Sequence, residues 1–141
     1  ERLGWAQAAA ALLRRGIIDA DDARELRWLS AFGSLIANTD MHLGNASFLY
    51  EGRLRFRLAP AYDMLPMLYA PLRDELSARN FTMPAPTPAA ADQWHVAVPA
   101  ARDFWQTLGA DARASGKFRE IAAANAALLS AKGRAGAPGA A

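Results

Sequence analysis

Asn38-Thr39-Asp40-Met41-His42-Leu43-Gly44-Asn45 is the stretch that decides this fold, together with Leu58-Ala59-Pro60-Ala61-Tyr62-Asp63. Both stretches are short and contain glycine or proline, so each is predicted to include a loop. Between them they offer a carboxylate at Asp40, an amide at Asn45 and a second carboxylate at Asp63. Phosphoryl transfer needs such a set, because one carboxylate orients a hydroxyl while hard oxygen ligands hold magnesium beside ATP.

A buried helix is predicted to deliver the chain to the first loop. Asp19 and the acids that follow it are typical of a helix start. Apolar residues then recur at helical spacing, which predicts a helix from Ala20 to about Ala37. An alanine-rich helix from Trp5 to Leu13, ended by Gly16, is expected before it.

A β-hairpin over residues 46–58 is predicted to connect the two loops. Its strands are Ala46 to Tyr50 and Arg53 to Leu58, with Glu51-Gly52 as a tight turn. The second strand alternates between an apolar inner face and a solvated basic face. The inner face comprises Leu54, Phe56 and Leu58, and the outer face comprises Arg53, Arg55 and Arg57.

The remaining elements are predicted to be helical, which makes the fold mainly α with one small β-hairpin. Pro84 to Pro88 is a connector, and Pro99 opens a helix from Ala100 to Leu108. A last helix is expected from Gly116 to Ala131. Residues 1–131 then form one domain, with a catalytic loop at 38–45 and a metal loop at 59–66, and 132–141 form a disordered tail.

The composition excludes several classes of protein. The chain has 141 residues, no cysteine and a net charge of +2, so thiolate metal sites and disulfides are ruled out. The arginines are scattered, which argues against nucleic-acid binding by this segment. No apolar run reaches the length of a membrane span, and nothing resembles a signal peptide, so a cytoplasmic protein is expected.

The order of the polar groups matches the C-terminal lobe of a protein kinase. The step from Asp40 to Asn45 equals the step in the kinase pattern H-R-D-x-x-x-x-N. Tyr62-Asp63-Met64 follows the hairpin, where kinases place Asp-Phe-Gly. Asp40 is therefore predicted to be the catalytic carboxylate, with Asn45 and Asp63 as magnesium ligands. His42 lies inside the first motif and is expected to contact nucleotide or to hold the loop.

Both motifs resemble the C-terminal domain of the HipA family, bacterial Ser/Thr protein kinases that serve as toxins of toxin–antitoxin modules. The resemblance is carried by Ile36 to Asn45 and Leu58 to Pro66. It implies that Asp40 is catalytic and that His42, Asn45, Tyr62 and Asp63 face ATP and Mg²⁺. It also implies a protein substrate and an antitoxin with a helix-turn-helix.

One departure from a complete kinase affects the expected activity. A kinase also needs a glycine-rich loop and a lysine that contact the phosphates. This chain lacks such a loop, and its two lysines, Lys117 and Lys132, lie near the C-terminus. We therefore expect a C-lobe whose N-lobe is absent from this sequence, and a fragment that on its own binds ATP poorly and is inactive.

Three alternatives remain open from the residues. Aminoglycoside and choline kinases use a similar D-x-H-x-x-N loop, although Ala61-Tyr62-Asp63 favours the HipA pattern. A domain with this fold could also act only by binding partners. Finally, Asp40, His42 and Asp63 together contain donors suited to zinc or manganese.

Overall fold

The computed structural model describes residues 3–71 and 79–135. Four helices and one hairpin make up this part of the chain: α1 (Trp5–Arg14), α2 (Ala20–Leu35), β1 (Phe48–Gly52), β2 (Arg55–Leu58), α3 (Ala91–Ala110) and α4 (Gly116–Ala135). Short 3-10 turns cover Leu43–Asn45, Met67–Tyr69 and Pro88–Ala90. The predicted fold class, mainly α with a small β-hairpin, is confirmed.

The first two helices begin where their sequences predict. The Asp19 carboxylate caps α2 by accepting a hydrogen bond from the Asp22 amide, and that bond lowers the pKa of Asp19. Both helices end in a turn of the same type, in which the residue after the C-cap has a positive φ. In α1 this residue is Gly16, with φ 66°, but in α2 it is Ala37, with φ 60°. The predicted helix up to Ala37 therefore stops two residues early, at Leu35.

Helix α2 is central because it packs in two apolar clusters. Its first half joins α1 and the hairpin around Trp5, Leu26 and Leu29. Its second half joins α3 and α4 around Leu35 and Trp105. Trp105 is fully buried, and its indole N–H donates to the Leu35 carbonyl at 3.1 Å.

The hairpin turn lies two residues later than predicted. Arg53 and Leu54 form the turn with φ values of 51° and 58°, and Leu54 is exposed rather than on the inner face. The strands pair Phe48 with Leu58 and Tyr50 with Phe56. A turn at Glu51-Gly52 would instead have placed Phe48 opposite Arg55 and Tyr50 opposite Arg53, whereas the observed register pairs apolar residues with each other.

Helix α3 differs most from prediction. Pro99 lies inside it rather than at its start, because the helix already begins at Ala91. A proline within a helix leaves the carbonyl four residues earlier without its amide partner. Here that carbonyl belongs to His95, and both His95 and Pro99 are exposed, so water can satisfy it.

The C-terminal prediction is only partly covered by the structure. Helix α4 continues to Ala135, four residues beyond the predicted end. The rest of the predicted disordered tail, residues 136–141, lies outside the described residues. Within the described part of the chain, none of the helices combines the length and apolarity that crossing a bilayer requires.

Candidate functional site

The segment after α2 folds into a compact polar loop held by its own side chains. The Asn45 side-chain N–H donates to the Asp40 carbonyl at 2.9 Å. The Asn45 amide donates to the His42 carbonyl at 3.1 Å, which closes the 3-10 turn. Trp5 fixes the loop from α1, because its indole N–H donates to the same His42 carbonyl at 2.9 Å. The predicted catalytic loop is therefore an ordered turn.

The ring of His42 is bonded to this loop and also lies near Asp40. Its Nδ1 accepts from the Gly44 amide at 3.1 Å. In neutral histidine the other ring nitrogen then carries the proton. That nitrogen, Nε2, lies 4.0 Å from an oxygen of the Asp40 carboxylate. His42 thus holds the loop, and its remaining donor faces the same region as the catalytic candidate.

The second loop is joined to the first by Tyr62 and Asn38. The Tyr62 hydroxyl donates to the Gly44 carbonyl at 3.1 Å and lies 2.9 Å from the Ser47 hydroxyl. The Asn38 side chain donates to the Asp63 carbonyl at 3.4 Å and accepts from the Asp40 amide at 3.0 Å. The predicted site residues therefore belong to one hydrogen-bonded assembly.

Backbone geometry marks Asp63 as a special position. Its φ is 56°, in the left-handed region that residues other than glycine seldom adopt. Aspartate and asparagine tolerate this region better than most residues. Outliers of this kind cluster at binding and catalytic sites, where the surrounding structure holds them in place.

A cleft of about 750 Å³ opens on the Asp40 side of the loop. Asp40 and His42 lie in its wall, with their side chains roughly half exposed. The other polar groups around it are uncharged, and come from Gln7, Ser30, Ser34, Asn38, Thr39 and Thr87. Asn45 and Tyr62 lie instead beside a separate, much smaller cavity under the hairpin.

Three oxygen-bearing side chains remain available to a hard cation. Among the described residues no donor bonds to the Asn45 side-chain oxygen or to the Asp63 carboxylate, and the Asp40 carboxylate has only His42 nearby. Amide and carboxylate oxygens suit magnesium, which usually keeps waters and substrate phosphates as further ligands. The residue types of this set suit magnesium, although Asp40 and Asn45 line different cavities.

A self-sufficient zinc or manganese site is not supported. Asp40, His42 and Asp63 do not come together as a cluster that could hold a metal, nor do any other three His, Asp or Glu side chains of residues 3–71 and 79–135. That alternative for these three residues is therefore wrong.

Asn38 is the site residue to which the sequence assigned no role. It is only 9% exposed, and both polar atoms of its side chain are used. Its place two residues before Asp40 in the quoted stretch was the one available signal. Trp5 was predicted only as the first residue of α1, and its hydrogen bond to the loop had no signature in the sequence.

A family model and curated relatives match this sequence. The sequence model of the HipA-like C-terminal domain matches residues 2–129. The chain is 42% identical over 123 residues to Toxin YjjJ of Escherichia coli K12, covering 84% of this chain and 27% of that protein. It is 41% identical over 63 residues to Y4dM of Sinorhizobium fredii, whose name marks it as a candidate kinase, covering 45% of this chain and 15% of that protein. The chain thus spans about a quarter or less of each relative, and no solved structure matches it at a significant level.

Proposed function

This chain belongs to the HipA-like C-terminal domain family, and from that premise we propose that it forms the catalytic lobe of a Ser/Thr protein kinase. The kinase transfers the γ-phosphate of ATP to a protein hydroxyl. It serves as the toxin of a bacterial toxin–antitoxin module, as the name of the E. coli relative supports.

One observation carries the proposal: the hydrogen bonds that join the Asp40 loop to the Asp63 loop. The Asn45 side chain donates one N–H to the Asp40 carbonyl, which leaves its oxygen for a cation. Asn38 and Tyr62 hold the second loop against the first. These bonds keep the loop of Asp40 and Asn45 beside the loop of Asp63. This arrangement supports a kinase lobe, in which a catalytic carboxylate lies near the metal ligands.

Asp40 acts on the hydroxyl that receives the phosphate. The hydroxyl oxygen forms a bond to the γ-phosphorus while the bond from that phosphorus to the bridging oxygen of ADP breaks. The hydroxyl proton passes to the Asp40 carboxylate, which lies half exposed in the wall of the cleft. The cleft beside Asp40 admits the acceptor segment.

Asn45 and Asp63 would hold magnesium through their side-chain oxygens. Magnesium, when bound, neutralises charge that develops on the phosphates. Tyr62 keeps the backbone of the Asn45 turn in place through Gly44. His42 orients the loop and offers its Nε2–H on the Asp40 side.

The test is phosphate transfer from γ-labelled ATP by the protein as its gene encodes it, with Mg²⁺ present. We expect label on Ser or Thr, and a loss of about 100-fold or more in Asp40→Asn and Asp63→Asn. Asparagine is chosen at 63 because it tolerates the positive φ. Asp103→Asn, on the exposed face of α3, is the matched control and should label at the wild-type rate.

Two results would count against the proposal. Label in both site variants at the wild-type rate would remove Asp40 and Asp63 from their roles. ATP consumption with phosphate appearing only on small molecules would exclude a protein acceptor.

A further inference from the structure

Asn38 is one of three buried polar residues in the described part of the chain, and it lies between the two loops of the site. Its side-chain oxygen accepts from the Asp40 amide at 3.0 Å. Its side-chain nitrogen donates to the Asp63 carbonyl at 3.4 Å. One side chain thus contacts the main chain of both carboxylate-bearing residues.

We infer that Asn38 is a positioning residue, which sets the separation between the catalytic carboxylate and the metal-binding carboxylate. This inference rests on the proposed function, because it gives Asn38 a role in phosphate transfer. The resemblance to the HipA family, as carried by the two motifs, gave no role to Asn38. Asn38 touches neither carboxylate, so it acts through the backbone of Asp40 and Asp63.

The backbone of Asn38 is itself anchored, which makes it a suitable reference point. Its amide donates to the Gly33 carbonyl at 2.9 Å, inside the turn that ends α2. The preceding carbonyl, of Ala37, accepts from the Leu68 amide at 3.0 Å. The α2 terminus and the segment after Asp63 are therefore both fixed next to Asn38.

The geometry requires an amide at this position. A donor is needed toward the Asp63 carbonyl and an acceptor toward the Asp40 amide, and asparagine supplies both from one short side chain. Aspartate keeps the acceptor and loses the donor, whereas alanine loses both. Because Asp40 is exposed, water can bond its amide when the Asn38 side chain is removed. The position of the Asp40 loop should therefore change more than the free energy of unfolding.

The experiment compares Asn38→Ala with Asn125→Ala in the protein as its gene encodes it. Asn125 is buried too, but its side chain bonds the Tyr69 hydroxyl at 3.0 Å rather than the backbone of Asp40 or Asp63. Per folded molecule, Asn38→Ala should lower kcat by about 10- to 100-fold and raise the Mg²⁺ concentration needed for half the maximal rate. Asn125→Ala should lower Tm and leave both kinetic quantities unchanged.

Amide hydrogen exchange provides a readout that does not depend on activity. The Asp40 amide should exchange about tenfold faster in Asn38→Ala than in the wild type. It should keep its wild-type rate in Asn38→Asp, which retains the acceptor.

The results separate a failure of the proposed function from a failure of the role inferred for Asn38. A wild-type protein that transfers no phosphate would refute the proposed function and the role of Asn38 with it. An active wild type whose Asn38→Ala variant keeps kcat, Mg²⁺ dependence or Asp40 protection would overturn the inference alone. Equal kinetic losses in Asn38→Ala and Asn125→Ala would also overturn it, because they would show a purely structural role.

Discussion

At the scale of single residues, Gly33 is a point where α2 contacts both loops of the site. A methyl group there would overlap the sulfur of Met41, in the first loop, and lie 3.2 Å from the Met64 terminal carbon, beside Asp63. These atoms are the far ends of two methionine side chains, so an added methyl group would displace Met41 and push on Met64. Through Met41 and Met64, Gly33 of α2 contacts the two loops that carry Asp40 and Asp63.

Gly33→Ala should therefore damage activity more than stability. Alanine favours the helix, but Met41 and Met64 must move, and a shift of about 1 Å at a reacting group can cost 100-fold in rate. We expect phosphate transfer to fall by about tenfold or more with the circular dichroism spectrum unchanged. Gly109→Ala, whose added carbon would lie 3.5 Å from its nearest neighbours, is the control. Wild-type transfer by Gly33→Ala would show that the loops tolerate this displacement.

The loop between α3 and α4 provides a pH-dependent prediction. Hydrogen bonds from the Arg113 side chain lower the pKa of Asp111 to about 2. A lowered folded-state pKa contributes stability above the ordinary value of 3.8, and that contribution is lost as pH falls toward about 2. In Arg113→Ala the Asp111 pKa, followed by NMR, should rise toward 3.8. Arg119→Ala should leave it unchanged, and an unchanged pKa in Arg113→Ala would contradict the assignment.

At the scale of elements, the hairpin is fastened to α2 by a buried carboxylate. Asp22 accepts from the Leu58 amide at 3.0 Å, and the Arg57 guanidinium lies 3.5 Å from the same oxygen. The Asp22 side chain is only 6% exposed. This contact positions the end of β2, from which the second loop departs.

Asp22→Ala should loosen the hairpin measurably. It leaves the Leu58 amide without its partner, which costs about 1–3 kcal/mol of unfolding free energy. Glu25→Ala, exposed on the same helix, should stay within about 0.5 kcal/mol of the wild type. Urea unfolding of both variants measures the difference, and equal midpoints would show that the hairpin does not depend on Asp22.

Elements with local signals were predictable, and those set by tertiary packing were not. Asp19 and Gly16 mark helix ends through contacts within a few residues, so the limits of α1 and the start of α2 follow from sequence. The hairpin register depends on which face meets α2, and a pattern within one strand does not contain that information. The prediction that Pro99 starts a helix is wrong. Proline is tolerated inside α3 because the position is exposed, and that exposure depends on the fold.

The same division holds for the candidate site. Asp40, Asn45 and Asp63 are candidates on motif spacing alone, because their residue types and order are themselves the signal. Asn38 could not be assigned, because the role proposed for it depends on a contact across 25 residues to the Asp63 carbonyl. Long-range partners of this kind leave no periodic pattern in the chain.

At the scale of the whole molecule, the two apolar clusters hold the two loops against each other through α2. One cluster includes Met41 and the hairpin, while the other includes Tyr69, just after the second loop. Met64 packs against both clusters. The separation between Asp40 and Asp63 is therefore a property of the packed helices as well as of the local hydrogen bonds.

The most direct measurement is a crystal structure of the protein, as its gene encodes it, with Mg²⁺ and a non-hydrolysable ATP analogue. The account predicts magnesium bound by the Asn45 side-chain oxygen and the Asp63 carboxylate, with the terminal phosphate beside Asp40. Nucleotide bound away from these loops, or magnesium held without Asp63, would contradict it.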